Sequence, residues 1–171
     1  MTTRSAPITT TLQAIRDHGP CEDGWRKLVK HLGGVKRVNM DALLPLNTVL
    51  GINGLASTLW CLRALAPDVR KRLTCLWLAD VLDHAAEDKP NTWLTDGARL
   101  LRDYQSGKAT KEELKTFRRK VAAATAYAAA FVFAADAAFA FAFADAAAYT
   151  AASSERAWLS YRLGQYLRGE V

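Results

Sequence analysis

The stretch from Val121 to Ser154 constrains this chain more than any other: of its 34 residues, 19 are Ala, seven are Phe or Tyr, and only Asp136 and Asp145 are charged. Alanine is the strongest helix former and a poor strand former. The run therefore predicts helix, even across Phe139-Ala140-Phe141-Ala142-Phe143, whose alternation alone would suit a strand. At 100° per residue, Phe131, Phe141, Asp145 and Tyr149 fall near Tyr127, while Val132, Phe139, Phe143 and Asp136 gather on the far side. A helix apolar all round is one surrounded by other helices, with small Ala between large rings letting neighbouring backbones come close. Asp136 and Asp145 are expected there as buried structural acids, because a carboxylate among Ala and Phe needs a cation or must protonate; Arg63 and Arg99 are the candidate cations. Pointing to opposite sides, the two acids do not make a paired acid and base.

A membrane span is the competing fate for such a run. Val121–Ala135 offers only 15 residues before Asp136 interrupts, where a spanning helix needs about 20. A carboxylate at mid-membrane costs roughly 2.5–3.5 kcal/mol and Ala repays almost none of it. The basic flank Arg118-Arg119-Lys120 suits a span, but burial within a helical bundle is the stronger expectation.

Elsewhere helix signals recur between Gly and Pro punctuation. Ile8 to His18 reads as a short helix ending at Gly19. Pro20 opens a second, with Cys21, Trp25, Leu28, Val29 and Leu32 at helical spacing until Gly33-Gly34. After a break at Gly51-Ile52-Asn53-Gly54, Leu55, Leu59, Leu62 and Leu65 form a stripe that ends at Pro67. Further helices follow from Pro67-Asp68 to the polar stop at Glu87-Asp88-Lys89-Pro90, and from Asn91 or Thr92 to Ser106-Gly107. Thr110-Lys111-Glu112-Glu113 is a capping box, the clearest helix start in the chain. One straight helix from Thr110 to Tyr166 would be roughly 85 Å long, so a break is expected near Thr150–Ser154, before a last helix bearing Trp158, Leu159, Leu163 and Tyr166. The sum is an all-α chain: one globular bundle of six or seven helices over residues 1–171, packed around the Ala/Phe-rich helix, with residues 1–7 a flexible start.

The net charge of +6 belongs to the first 120 residues, which hold 20 basic and 13 acidic groups; residues 121–171 hold three and four. The clusters Arg26-Lys27-Lys30, Lys36-Arg37, Arg70-Lys71-Arg72 and Arg118-Arg119-Lys120 are short and mostly interrupted by acids. A nucleic-acid surface wants a longer stripe with interleaved aromatics, so solvated helix faces explain them better. Arg70, Lys71, Arg118 and Arg119 are the residues proposed for partner contact. Cys21, Cys61 and Cys75 lie in apolar patterns, cannot pair completely, and are expected as buried free thiols of a reducing compartment. The start Met-Thr-Thr-Arg-Ser-Ala-Pro has no apolar core behind its charge, which points to the cytoplasm.

Chemistry-bearing patterns are sparse. His18, Cys21 and His31 come nearest to a metal set, but zinc ligands usually arrive as two pairs and no second pair follows. Asp80 and His84 share a helix face at i, i+4, without a nucleophile or oxyanion donor in sequence reach. No glycine-rich phosphate loop, serine elbow or paired-cysteine motif is present. Neither metal, cofactor nor enzymatic activity is therefore expected.

From about Pro20 onward the chain resembles the alanine-rich, all-helical immunity proteins of bacteria and phages, of the Imm5-like kind. Cys21-Glu22-Asp23-Gly24, Leu59-Trp60-Cys61-Leu62-Arg63-Ala64-Leu65, Arg72-Leu73 through Trp77-Leu78-Ala79, Gly107-Lys108-Ala109-Thr110-Lys111-Glu112-Glu113-Leu114 and the alanine tract carry the resemblance. It departs within the tract, where the family commonly has Arg and Trp and this chain has Phe. The resemblance implies neutralisation of another protein, a toxin, by direct binding. A phage-encoded inhibitor of a host defence component, acting in the host cytoplasm, is the close variant; nucleic-acid or nucleoprotein binding through the basic faces is the alternative.

Overall fold

The computed structural model describes residues 5–88, 92–124 and 153–171, without the side chains of 88, 118, 120–124 and 153–155. The chain is mostly all-α. Among the described residues there are seven α-helices, one 3-10 turn and a single two-stranded sheet. Residues 125–152, the bulk of the Ala/Phe-rich tract with Asp136 and Asp145, lie outside the described residues. The fold divides into two compact units, residues 1–66 with 144–171, and residues 67–143.

The first unit departs from the sequence reading at its start. Thr9–Thr11 is strand β1, paired antiparallel with β2 (Leu43–Pro45) so that Thr10 faces Leu44. Three successive β-branched residues favour extended backbone, which displaces the expected helix start to Leu12. Helix α1 (Leu12–Asp17) is capped by Thr11, whose Oγ1 accepts from Ala14 N at 3.0 Å. The backbone before β1 is tied to the far end of the chain: Ile8 N donates to Leu167 O and Ser5 N to Gly169 O.

Helix α2 (Glu22–His31) carries acids in its first turn and Lys30 and His31 in its last, an arrangement that suits the helix dipole. Helix α3 (Leu46–Cys61) changes course at Gly54, whose φ of 82° and ψ of −176° are open essentially to glycine alone. The sequence placed a break over residues 51–54; only Gly54 is non-helical, and the helix begins before it, directly after Pro45. A 3-10 turn, Leu62–Ala64, closes this segment.

The last described helix, α7 (Ser153–Leu167), buries Leu159, Leu163 and Leu167 along one stripe. It approaches α3 at Gly164, where a Cβ would stand 3.5 Å from Leu50 and 3.6 Å from Asn47. Arg168 holds Glu170 through two hydrogen bonds of 2.8 and 2.9 Å and reaches Asn47 Oδ1 at 3.3 Å.

The second unit contains α4 (Pro67–Asp88), α5 (Thr92–Gln105) and α6 (Lys111–Ala124). The middle of α4 buries Trp77, Leu78 and Ala79 in succession, so more than one of its faces is covered. Helix α5 fits between its neighbours through Gly97, where a Cβ would meet Leu82 of α4 at 3.1 Å and Phe117 of α6 at 3.2 Å. Arg102 of α5 bridges Asp80 (2.9 Å) and Asp83 (2.7 Å) of α4, and the Asp80 side chain is only 15% exposed. Burial lowers the Arg102 pKa, but the bonds from Asp83 and Asp80 outweigh it and leave the value raised.

Cys61 and Cys75 are buried as expected, and Cys21 is exposed, contrary to the expectation. Burial, followed by the neighbouring Cys21, pushes the Cys61 thiol up to about 12. Burial likewise raises Cys75 to about 11 against a smaller opposing pull from Lys71. Both act as small apolar groups. No helix among the described residues is long and apolar enough to cross a membrane.

Arg102→Ala would leave the half-buried Asp80 without this cation. We expect a loss of about 1–2 kcal/mol, discounted for the partial exposure of the triad, read as a lower urea midpoint at unchanged slope.

Candidate functional site

The face with the features of an interaction surface lies between α5 and α6. Trp93, in the first turn of α5, stays 38% exposed. Its ring tilts against Phe117 of α6 at 51°, with centroids 6.1 Å apart. The two rings, with Leu100, line an open groove of about 600 Å³ whose other walls are Asp96, Arg99, Glu112, Glu113 and Thr116. Trp93, Asp96 and Leu100 recur at i, i+3, i+7, and Glu113 and Phe117 at i, i+4, so each helix brings one face to the groove.

The rim is charged with both signs. Arg99 pairs with Asp96 at 2.8 Å and Lys115 with Glu112 at 2.7 Å. Lys115, by hydrogen bond and charge, holds the Glu112 carboxyl below its ordinary value, and Arg119 adds to the effect from two turns on. At the mouth of α6 the predicted capping box is present: Glu113 N donates to Thr110 Oγ1 (3.2 Å), while Thr110 N and Oγ1 donate to Glu113 Oε2 (2.6 and 2.8 Å). These bonds, the backbone one first, lower the Glu113 pKa. The cap thus fixes where α6 starts and so where Phe117 stands against Trp93.

The four residues singled out from charge fare differently. Arg119 is exposed on the Glu112 stripe of α6, and the Arg118 side chain lies outside the described residues. Arg70 is half-buried in the first turns of α4. Lys71 is exposed, but its ammonium lies 3.8 Å from the centroid of Tyr104 on α5, a cation–π contact. Arg99, considered for a buried acid, pairs with Asp96, and Arg63 stacks over Trp60 at 5.4 Å. His84 Nδ1 lies 3.4 Å from Glu87, and Asp80 is engaged by Arg102. Among the described residues no three His, Cys, Asp or Glu side chains converge as a metal site.

The expectations from sequence do not include this groove: Trp93, Leu100 and Phe117 are apolar helix positions like many others in the chain. The available signal was Trp93 at the very start of its helix, where a large ring is hardest to cover. Comparison with known protein families, curated proteins and solved structures finds no match to this chain.

Thr110→Ala should cost about 1 kcal/mol of stability. The folded Glu113 has a lowered pKa, so its contribution is complete above the ordinary glutamate range and is lost as pH falls through the lowered value. The stability gap between the natural chain and Glu113→Gln, followed by urea unfolding, should therefore close as pH drops below about 4.

Proposed function

We propose that the chain is a non-enzymatic protein-binding factor that neutralises a partner by direct contact, in the manner of immunity and antitoxin proteins. The partner is a toxin or, in a phage setting, a host defence component. The observation that carries this reading is the half-exposed Trp93 set against Phe117 in the α5–α6 groove. A large aromatic anchor in a concave site with Arg nearby and a polar rim has the composition of a protein-binding hot spot.

Charge supports a protein partner over nucleic acid. Asp96, Glu112 and Glu113 stand in the groove beside Arg99, with Lys115 paired to Glu112. A phosphate backbone laid there would meet repulsion wherever it met attraction. A folded protein presents both signs and can match such a rim.

The test uses the full chain, tagged and expressed in its source cells, with recovered proteins quantified by mass spectrometry. The natural chain should recover a partner in near-stoichiometric amount, and Trp93→Ala and Arg99→Glu should each reduce it roughly tenfold or more while circular dichroism shows the helical fold retained at the assay temperature. Recovery that is indifferent to both variants, or recovery of nuclease-sensitive nucleic acid alone, would overturn the reading.

A further inference from the structure

Two basic clusters of the first unit, separate in sequence, come together at the C-terminal end of α2. Lys27, Lys30 and His31 are exposed and lie within about 100° of one another around the helix, while Leu28 and Val29 are buried on its other side. Past the helix, Gly33 and Gly34 take φ of 107° and 84°, and Gly34 N donates back to Val29 O at 2.9 Å. Gly34 O then accepts from Arg37 N (3.0 Å) and Val38 N (3.1 Å), which closes a turn over Val35, Lys36 and Arg37. The turn stays against the helix end: a Cβ on Gly33 would stand 3.7 Å from Arg37 Cβ.

The surface so formed is cationic. Between Asp23 and Asp41 the chain has five Lys and Arg and no acid. Arg26 is engaged by Glu22 and Asp23. The side chains of Lys27, Lys30, Lys36 and Arg37 are exposed and make no ion pair among the described residues. Beside Lys36 stands an aliphatic side chain in water: Val35 is 81% exposed, more than any other large apolar residue among the described ones. Leu43, where the loop joins β2, is 75% exposed as well.

We propose that this patch docks on an anionic lipid bilayer, with Val35 entering the interface and Lys27, Lys30, Lys36 and Arg37 among the headgroup phosphates. Charge complementarity selects an anionic partner, and the apolar tip selects lipid. An aliphatic side chain flanked by cations gains by leaving water at the boundary of headgroups and acyl chains, where the cations keep both hydration and counter-charge. On a nucleic acid Val35 would face phosphate and sugar, and residues 26–43 hold no Trp, Tyr or Phe to stack a base. Each cation strengthens such docking roughly fivefold, an effect that salt screens. The patch uses residues of the first unit alone and does not depend on the α5–α6 groove.

The test is sedimentation of the full chain with vesicles of phosphatidylcholine, alone or mixed with phosphatidylglycerol. The chain should pellet with the mixed vesicles and not with the neutral ones, and added salt should release it. Lys36→Gln with Arg37→Gln should weaken binding roughly 25-fold, about fivefold for each cation. Arg72→Gln with Lys108→Gln removes as many exposed cations from the second unit and should change binding less than about twofold. Val35→Ser should weaken binding and Val35→Trp should strengthen it, because indole favours the interface. Circular dichroism checks that each of these surface variants keeps its helices. Equal pelleting with neutral and mixed vesicles, no pelleting with either, equal weakening by the two double variants, or Val35 variants that bind as the natural chain does would overturn the proposal. A short DNA duplex that strips the chain from the vesicles at matched phosphate concentration would overturn it in favour of nucleic acid.

Discussion

The backbone at Gly54 governs the arrangement of the first unit. Its φ of 82° with ψ of −176° ends one helical run and starts another inside what would otherwise be a single helix. Before the break, Asn47 and Leu50 face α7 at Gly164 and Arg168. After it, Ala56, Ser57 and Trp60 face α2 across a small pocket. A straight helix would present both sets along one continuous course. Asn53, the last residue before the turn, bonds to Gly24 O, and Thr58 Oγ1 closes the next turn onto Gly54 O at 2.8 Å. One residue without a side chain thus separates two packing faces and builds the wall between them.

The second unit answers the same problem with a close approach. Gly97 lets α5 sit tightly against Leu82 and Phe117 together, and Arg102 ties the other end of α5 to Asp80 and Asp83. Phe117, held by that contact and by the cap at Thr110, supports the exposed ring of Trp93. The groove is therefore a consequence of packing between three helices, and its charged rim is made of local pairs one turn apart on α5 and α6.

Local signals were legible in the sequence. The all-helical class, the start of α4 at Pro67, the glycine stop after α5 and the Thr110 box all follow from residues within a turn of the feature they determine. Features made by residues distant in sequence were not legible. Thr9–Thr11 becomes strand because Leu43–Pro45 pairs with it, and nothing near Thr9 announces that partner. Arg102 meets acids on α4 through a helix pairing that spacing alone does not specify. The groove at Trp93 and Phe117 is not legible because apolar residues at helical spacing show which face is buried but not where burial ends. Cys21 was expected inside for the same reason and is exposed. The charge clusters identified basic residues but not what each one touches: Lys71 engages the Tyr104 ring, and Arg119 acts on Glu112.

Two glycines three residues apart in α3 give the most direct test of the turn at Gly54. Gly51 is exposed and helical, and Gly54 sits at the break; a Cβ at either would meet nothing within 4 Å. Only backbone conformation distinguishes them. Urea unfolding should show Gly51→Ala stabilised by about 0.4–1 kcal/mol and Gly54→Ala destabilised by about 1–3 kcal/mol. Equal midpoints for the two variants would mean that α3 runs through residue 54 without the turn, and would contradict the account.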